Sequence, residues 1–467
     1  MNVEKKRRFR LYDKTKIDWE HLLYGRRALF ALLIPVIVEQ LLNSLMGMVD
    51  TMMVSNVGSA AISAVSLVDS VNNLVIQVFS ALAAGATIIC AQYLGKKDRE
   101  GCNRAAGQVF LTVTVISVVL TVLCIVFRAP LLSLVFGKVE KEVMSDCLVY
   151  FLLTALSYPF MALFSTGSSL YRAAGNSRFP MAVSVISNIG NVAGNAIFIF
   201  GLHMGVAGAA LSTLLSRVVC TLVILIALRR PGQEIIFRNY LRIRPDFRII
   251  SMVLAVGIPS GIENGMFQFG KLAIQSTVST MGTAAIAAQA MTIILEMLNG
   301  IGAIGVGIGL MTVVGQCIGA GRIEEAKYYI VKLTVYAEAI LAVSCALTLL
   351  LTKPVILLGG MEAESGRLCM EMMIAITIVK PIVWVLSFIP GYGMRAAGDV
   401  GFSMVASSAT MWLCRVALCI YLVRAWGFGP MAVWIGMFAD WTVRSILFGW
   451  RFVSGRWLKH QVLKPAA

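Results

Sequence analysis

The sequence predicts an all-α integral membrane protein, with twelve transmembrane helices forming two six-helix bundles related by a parallel repeat. Three observations predict it. First, 58% of the 467 residues are apolar and 14% charged, against about 45–50% and about 25% in soluble proteins. Second, the apolar residues gather in runs long enough to cross a bilayer. Third, the first half of the chain returns in the second half at a nearly fixed offset. This composition excludes an ordinary cytosolic enzyme, a disordered chain and a secreted disulfide scaffold.

A crossing needs about 20 apolar residues to span roughly 30 Å of hydrocarbon. Twelve spans meet that need: 28–54, 62–93, 105–127, 147–170, 179–200, 206–228, 249–279, 284–317, 328–352, 369–393, 401–423 and 431–452. Transmembrane β-strands would alternate in period two over about ten residues, and these runs do not. The bases fix the sidedness. They collect before span 1 (Lys5, Lys6, Arg7, Arg8, Arg10, Lys14, Lys16, Arg26, Arg27) and after every even span. Examples are Lys96, Lys97 and Arg99 after span 2, and Arg172 and Arg178 after span 4. Arg229, Arg230, Arg238, Arg242, Arg244 and Arg248 follow span 6, and Arg451, Arg456, Lys459 and Lys464 follow span 12. The other side holds Arg128, Lys138, Lys141, Lys353, Arg367 and Arg424. The positive-inside rule then places both termini in the cytoplasm. The net charge of +16 is a topology signal, and nucleic acid is not an expected partner.

The chain divides into a basic N-terminal segment (1–27), an N-lobe (28–228), a cytoplasmic linker with Pro231 and Pro245 (229–248), a C-lobe (249–452) and a tail (453–467). Ile34-Pro35 in span 1 matches Ile258-Pro259 in span 7, an offset of 224. At that offset Glu39 falls on Glu263, Gly85 on Gly309, Gln92 on Gln316 and Gly95 on Gly319. After spans 4 and 10, Arg172-Ala-Ala-Gly-Asn176 returns as Arg395-Ala-Ala-Gly-Asp399, an offset of 223. Six is even, so the copies share one orientation and the repeat axis lies along the membrane normal. Two such bundles facing each other suit alternating access.

A charge at mid-bilayer costs about 2.5–3.5 kcal/mol on the insertion scale, so each one is shielded or functional. In span 1, Glu39, Asn43 and Asp50 fall on one helical face. Span 2 carries Asp69, Asn72, Asn73, Gln77 and Ser80, and span 5 carries Ser184, Asn188, Asn191 and Asn195. If spans 1 and 5 face each other, Asp50 meets the amides of Asn188, Asn191 and Asn195. Asp50, Asn191 and Asn195 can then hold Na⁺, or Asp50 can bind and release a proton. Interhelical hydrogen bonding alone is the other use of such groups. Glu39 and Glu263 each sit one turn after a proline. They are either cavity or gating groups, or partners for backbone that the prolines free. Span 7 carries Asn264, Gln268, Lys271 and Gln275 on one line, with Lys271 placed to pair with Glu263 as ion pair or gate. Asn43, Gln77, Gln268 and Glu296 are further candidates for the cavity wall. Asp440 and Arg444, four apart in span 12, read as an ion pair. Arg217, Lys380 and Arg415 snorkel or pair.

The remaining signals are structural. Cys124, Cys220, Cys345 and Cys419 lie inside apolar runs and read as small buried hydrophobes. His21, His203 and His460 are far apart in sequence, which argues against a metal cluster. The basic start lacks a small-residue cleavage site, so span 1 is expected to stay as an anchor. Gly300-Ile-Gly-Ala-Ile-Gly305 spells a dinucleotide fingerprint, but it sits in a membrane span without a βαβ unit and reads as close helix packing. The chain has no Walker A sequence and no convergent nucleophile–base set, so an enzyme is not expected.

Several segments together resemble the multidrug and toxic compound extrusion (MATE) family. They are Met48-Val-Asp50-Thr-Met, Val57-Gly-Ser-Ala-Ala-Ile62, Gln92-Tyr-Leu-Gly95, Tyr171-Arg-Ala-Ala-Gly-Asn176, Gly205-Val-Ala-Gly-Ala-Ala210 and Ile258-Pro259. The resemblance covers about 28–452. It implies export of cationic or amphipathic organic compounds in exchange for Na⁺ or H⁺, with no cofactor beyond that ion. It also implies a monomer in the bacterial inner membrane. The family's first-span Asp corresponds to Asp50. Asn195 stands where the DinF-like branch has a second Asp, so span 5 looks NorM-like. The NorM-like acid of span 10 is missing here, and Glu263 is the candidate substitute. A flippase for lipid-linked saccharides or other amphipathic metabolites is the alternative transporter. Such a flippase would favour a basic cavity over the acidic and amide stripes read here.

Overall fold

The computed structural model describes residues 11–137, 140–237, 243–460 and 462–463. Lys5, Lys6, Arg7, Arg8, Arg10, Lys138, Arg238, Arg242 and Lys464 lie outside the described residues. Among the described residues, eleven helices are long and apolar enough to cross a bilayer, and a bent pair supplies a twelfth crossing. The N-lobe holds α1 (Arg26–Ser55), α2 (Ser59–Gly95), α3 (Arg99–Val126), α4 (Arg128–Phe136), α5 (Lys141–Leu156), α6 (Tyr158–Ala173), α7 (Arg178–Asn195) and α8 (Gly205–Leu228). The C-lobe holds α9 (Phe247–Val278), α10 (Thr283–Gly319), α11 (Ile323–Leu358), α12 (Ala363–Ala397), α13 (Val400–Thr410), α14 (Leu418–Trp426) and α15 (Met431–Val453).

Local chemistry sets the ends. The Asp98 carboxylate accepts from the Gly101 amide at the start of α3, and Asp246 accepts from the Arg248 and Ile249 amides at the start of α9. At the end of α12, Gly398 adopts φ +112°, and a Cβ there would lie 2.0 Å from the His460 carbonyl oxygen. Only glycine fits that site.

Two details differ from the expected spans. Span 4 is not one helix over 147–170. It is broken at Ser157 into α5 and α6, bent by 41°. Pro159 opens α6, where its missing N–H and fixed φ suit a first turn but prevent a continuous helix. The short helix α4 also fills a stretch read as connection. A parallel pair of π-helical segments appears as well: Ala196–Gly201 extends α7, and Met411–Ala417 joins α13 to α14. Such segments widen a helix locally and occur often at functional sites.

The C-lobe has one continuous apolar core, joined by Leu29, Leu32 and Leu33 of α1. The N-lobe core is split in two, one cluster around α2, α3 and α6 and the other around Val54, Ala64, Phe151 and Ile199. Large apolar side chains such as Leu134, Leu350 and Leu358 are exposed, as hydrocarbon-facing positions should be. Among the described residues, the segments before α1 and after α15 pack at one end of the bundle. The Leu23 amide donates to Glu325, and Tyr329 hydrogen-bonds the Tyr24 backbone from α11. Trp457 is fully buried in the C-terminal segment, and the Leu463 amide reaches Gln92.

Candidate functional site

The lobes touch through the halves of α1, α2, α9 and α10 nearest the termini. A Cβ on Gly95 would lie 2.1 Å from the Gln316 carbonyl oxygen, and one on Gly319 would lie 2.0 Å from that of Gln92. The Gln92 side-chain amide donates across the lobes to the Ala396 carbonyl at 2.7 Å. Its repeat counterpart Gln316 donates to the Ala173 carbonyl, also at 2.7 Å. The acceptors belong to the two Arg-Ala-Ala-Gly segments, so each repeat clasps the other with the same residues.

Beyond this contact lies a cavity of about 900 Å³. Gly47 on α1 and Gly265 on α9 have open space before them. Asp50, Asp69, Asn188 and Arg217 line its N-lobe wall, and Asn264 and Tyr392 line its C-lobe wall. Asn43 and Gln77 also line it, and the Asn264 amide donates to the Gln77 carbonyl at 3.4 Å.

α1 brings Asp50 against α7. Asn195 Nδ2 donates to Asp50 Oδ1 at 2.7 Å. With its amide turned to satisfy both neighbours, Asn191 Nδ2 donates to the same oxygen at 2.7 Å and its Oδ1 accepts from Thr213 at 3.2 Å. Asn191 and Asn195 are buried behind the cavity wall, and Asn195 Oδ1 has no hydrogen-bond partner. A buried orphan acceptor beside a carboxylate is an oxygen ligand available to a cation. Asn188 is on the same wall with an unpartnered Nδ2, but makes no bond to Asp50.

Asp69 forms a second acid that the sequence stripe contained but did not single out. It accepts from Asn72 at 3.0 Å and from the Tyr150 hydroxyl at 3.3 Å, while Tyr158 donates to Asn72 at 2.7 Å. Arg217 donates to Ser157 at 2.6 Å, at the break between α5 and α6.

The two repeated glutamates find the same partners in each lobe. Glu39 takes Arg172 at 3.2 Å and Ser184 at 3.4 Å. Glu263 takes Arg395 at 3.7 Å and Ser403 at 3.4 Å. This corrects two expectations. Neither glutamate serves the backbone freed by its proline, and Glu263 does not pair with Lys271. Arg172 and Arg395, read as part of a basic collar, turn inward because a buried carboxylate is available to each. Glu296 is bound elsewhere, to Lys380, which also holds Asn299. Gln268 and Lys271 lie on α9, and neither is among the residues that line the cavity with Asp50. Asp440 and Arg444 pair at 2.7 Å, both fully buried.

The MatE family model matches this chain twice, over 35–197 and 259–421, so each match opens on one of the repeated prolines. The chain is 28% identical to a probable multidrug resistance protein NorM of Thermotoga maritima, over 96% of this chain and 97% of that one. It is 27% identical to the uncharacterized transporter YisQ of Bacillus subtilis, over 92% and 95%. A MATE crystal structure in complex with MaD3S superposes with a TM-score of 0.86 at 21% identity, covering 93% of this chain and 96% of that one. The outward-facing form of a multidrug resistance MATE transporter of the MOP superfamily gives 0.84 at 22% identity, covering 92% and 96%. With the family model matched in both lobes and the fold shared throughout, the chain belongs to the MatE family of multidrug and toxic compound extrusion transporters.

Proposed function

We propose that this chain is a secondary active exporter that exchanges Na⁺ or H⁺ for cationic or amphipathic organic compounds. It works as a monomer in the bacterial inner membrane, with its termini in the cytoplasm and no cofactor beyond the coupling ion. The observation that carries the coupling role is Asp50, which lines the large cavity and is held by Asn191 and Asn195, with the Asn195 carbonyl unpartnered. A cation at this carboxylate gives Asn195 Oδ1 its missing partner, and a proton neutralises the carboxylate instead. Either event changes the charge that an organic cation meets in the cavity. Exchange follows because a ligand shifts the two lobe arrangements only by its different affinity for each.

The geometry supports a cytoplasmic end closed by the glutamine clasps and a cavity on the outer side of them. Opening requires both clasps and the Gly95 and Gly319 contacts to part. The test is dye efflux from vesicles with Na⁺ and pH gradients imposed separately. Asp50→Asn is expected to lose gradient-driven efflux while reaching the membrane at the wild-type level. Full gradient-driven efflux in that variant would remove the coupling role.

A further inference from the structure

The charged side chains that line the cavity are Glu39, Asp50, Asp69, Arg172, Arg217 and Arg395. Glu39 holds Arg172, and Arg395 faces Glu263. Asp50, Asp69 and Arg217 remain, two acids against one base. Arg217 closes on neither acid. Its Nη1 donates to the Ser157 hydroxyl, and among the described residues no base lies within 4.0 Å of Asp50 or Asp69. The cavity therefore carries one negative charge in excess, which suits one organic cation.

The two acids are built differently. Asp50 has an unpartnered acceptor beside it, Asn195 Oδ1, which a metal ion can use. Asp69 is met by donors. Its Oδ1 accepts from Asn72 Nδ2 at 3.0 Å and from the Tyr150 hydroxyl at 3.3 Å. The Asn72 side-chain oxygen is itself taken by the Tyr158 hydroxyl at 2.7 Å. Neighbours that present hydrogens serve a bare metal ion poorly. Among the described residues nothing donates to Asp69 Oδ2, yet that atom is not a buried orphan. On a side chain that lines the cavity, it is the oxygen that faces open space.

Helix rise separates the acids. Asp50 lies five residues before the end of α1, and Asp69 ten residues after the start of α2. At about 1.5 Å per residue, Asp69 is about 7 Å nearer the clasped end. The fold itself does not require an acid there, because at the repeat offset of 224 Asp69 becomes Ile293. Ile76 follows two turns along the same face of α2, and Met161 and Phe164 of α6 line the same cavity.

We propose that Asp69 anchors the protonated amine of an amphipathic cargo through an N–H···Oδ2 hydrogen bond, with the cargo's apolar body against Ile76, Met161 and Phe164. This deepens the exporter reading and rests on it for transport: the coupling ion belongs to Asp50 and the amine to Asp69. A charge-assisted hydrogen bond is directional, so an amine that bears a hydrogen is held more tightly than a quaternary ammonium.

The test uses the purified full chain in phosphatidylcholine nanodiscs, where no gradient acts. The probes are monodansylcadaverine, its neutral N-acetyl derivative and its N,N,N-trimethylammonium derivative. Dansyl emission reports binding, and empty nanodiscs give the background. The wild type is expected to bind the primary ammonium about tenfold more tightly than the neutral probe and about threefold more tightly than the trimethylated one. Asp69→Asn keeps an acceptor for Asn72 and Tyr150 and is expected to bring the first ratio near one. Asp69→Ser, smaller and still an acceptor, gives the same readout should the Asn variant fold poorly. Asp50→Asn should keep the ratio. Equal binding of the ammonium and either other probe by the wild type would overturn the proposal. So would a ratio that survives in folded Asp69→Asn, or one lost in Asp50→Asn. Coupling is read separately as gradient-driven efflux, so a failed coupling role and a failed amine anchor give different results.

Discussion

Gly95→Ala probes the closed end of the cavity. The new methyl would stand 2.1 Å from the Gln316 carbonyl oxygen and 2.9 Å from its carbon, both backbone atoms that cannot swing aside. A relaxed C···O contact is about 3.3 Å, so the two helices must part by roughly 1.2 Å. The two clasps, each 2.7 Å long, would stretch to roughly 3.9 Å and cease to be hydrogen bonds. Each is worth about 1 kcal/mol, and a buried carbonyl left without a donor adds about 1 more, which gives about 2–4 kcal/mol against the closed end. That shifts the two-state balance roughly 30- to 1,000-fold toward opening at this end. Spin-label distances between noncanonical residues placed at Glu100 and Gly401 read the change directly, because both positions are exposed on opposite lobes and the ten native cysteines stay unlabelled. The variant should gain a longer-distance population. Gly47→Ala, with nothing within 4 Å, is the control and should leave the distribution unchanged. A wild-type distribution for a stably folded Gly95→Ala protein would refute the steric account of the closed end.

Other expectations follow from the same structure. Glu39→Gln leaves Arg172 buried without its carboxylate, so thermal unfolding should report a loss of about 3–5 kcal/mol, with Arg172→Met in the same chain recovering part of it. Glu263→Gln should cost less, because Arg395 is more distant at 3.7 Å and also stacks on Tyr392. Asn195→Ala removes the 2.7 Å donor to Asp50 and the orphan carbonyl together, and gradient-driven efflux should fall at least as far as in Asn191→Ala. Trp457→Ala empties a fully buried site under the C-terminal segment and should destabilise by about 3–5 kcal/mol in a melting experiment.

The sequence by itself determined the architecture, because a bilayer leaves so few options. Backbone groups in hydrocarbon must be satisfied within the segment, so each crossing is written as a long apolar helix that can be read residue by residue. The offset between Pro35 and Pro259 likewise exposed the duplication that both family matches follow. The Asp50 and α7 stripes were legible because helical period alone predicts which residues share a face. The tertiary structure decided which faces meet. Glu39 and the Arg-Ala-Ala-Gly segment were both visible as repeats, yet 133 residues separate Glu39 from Arg172, and only the rotation of α1 against α6 joins them. For the same reason Glu263 proved to take Arg395 rather than Lys271, and span 4 proved to break at Ser157. Period fixes a side chain's direction on its own helix. The partner it finds depends on how helices distant in the chain are turned and packed, and that is settled by the whole bundle.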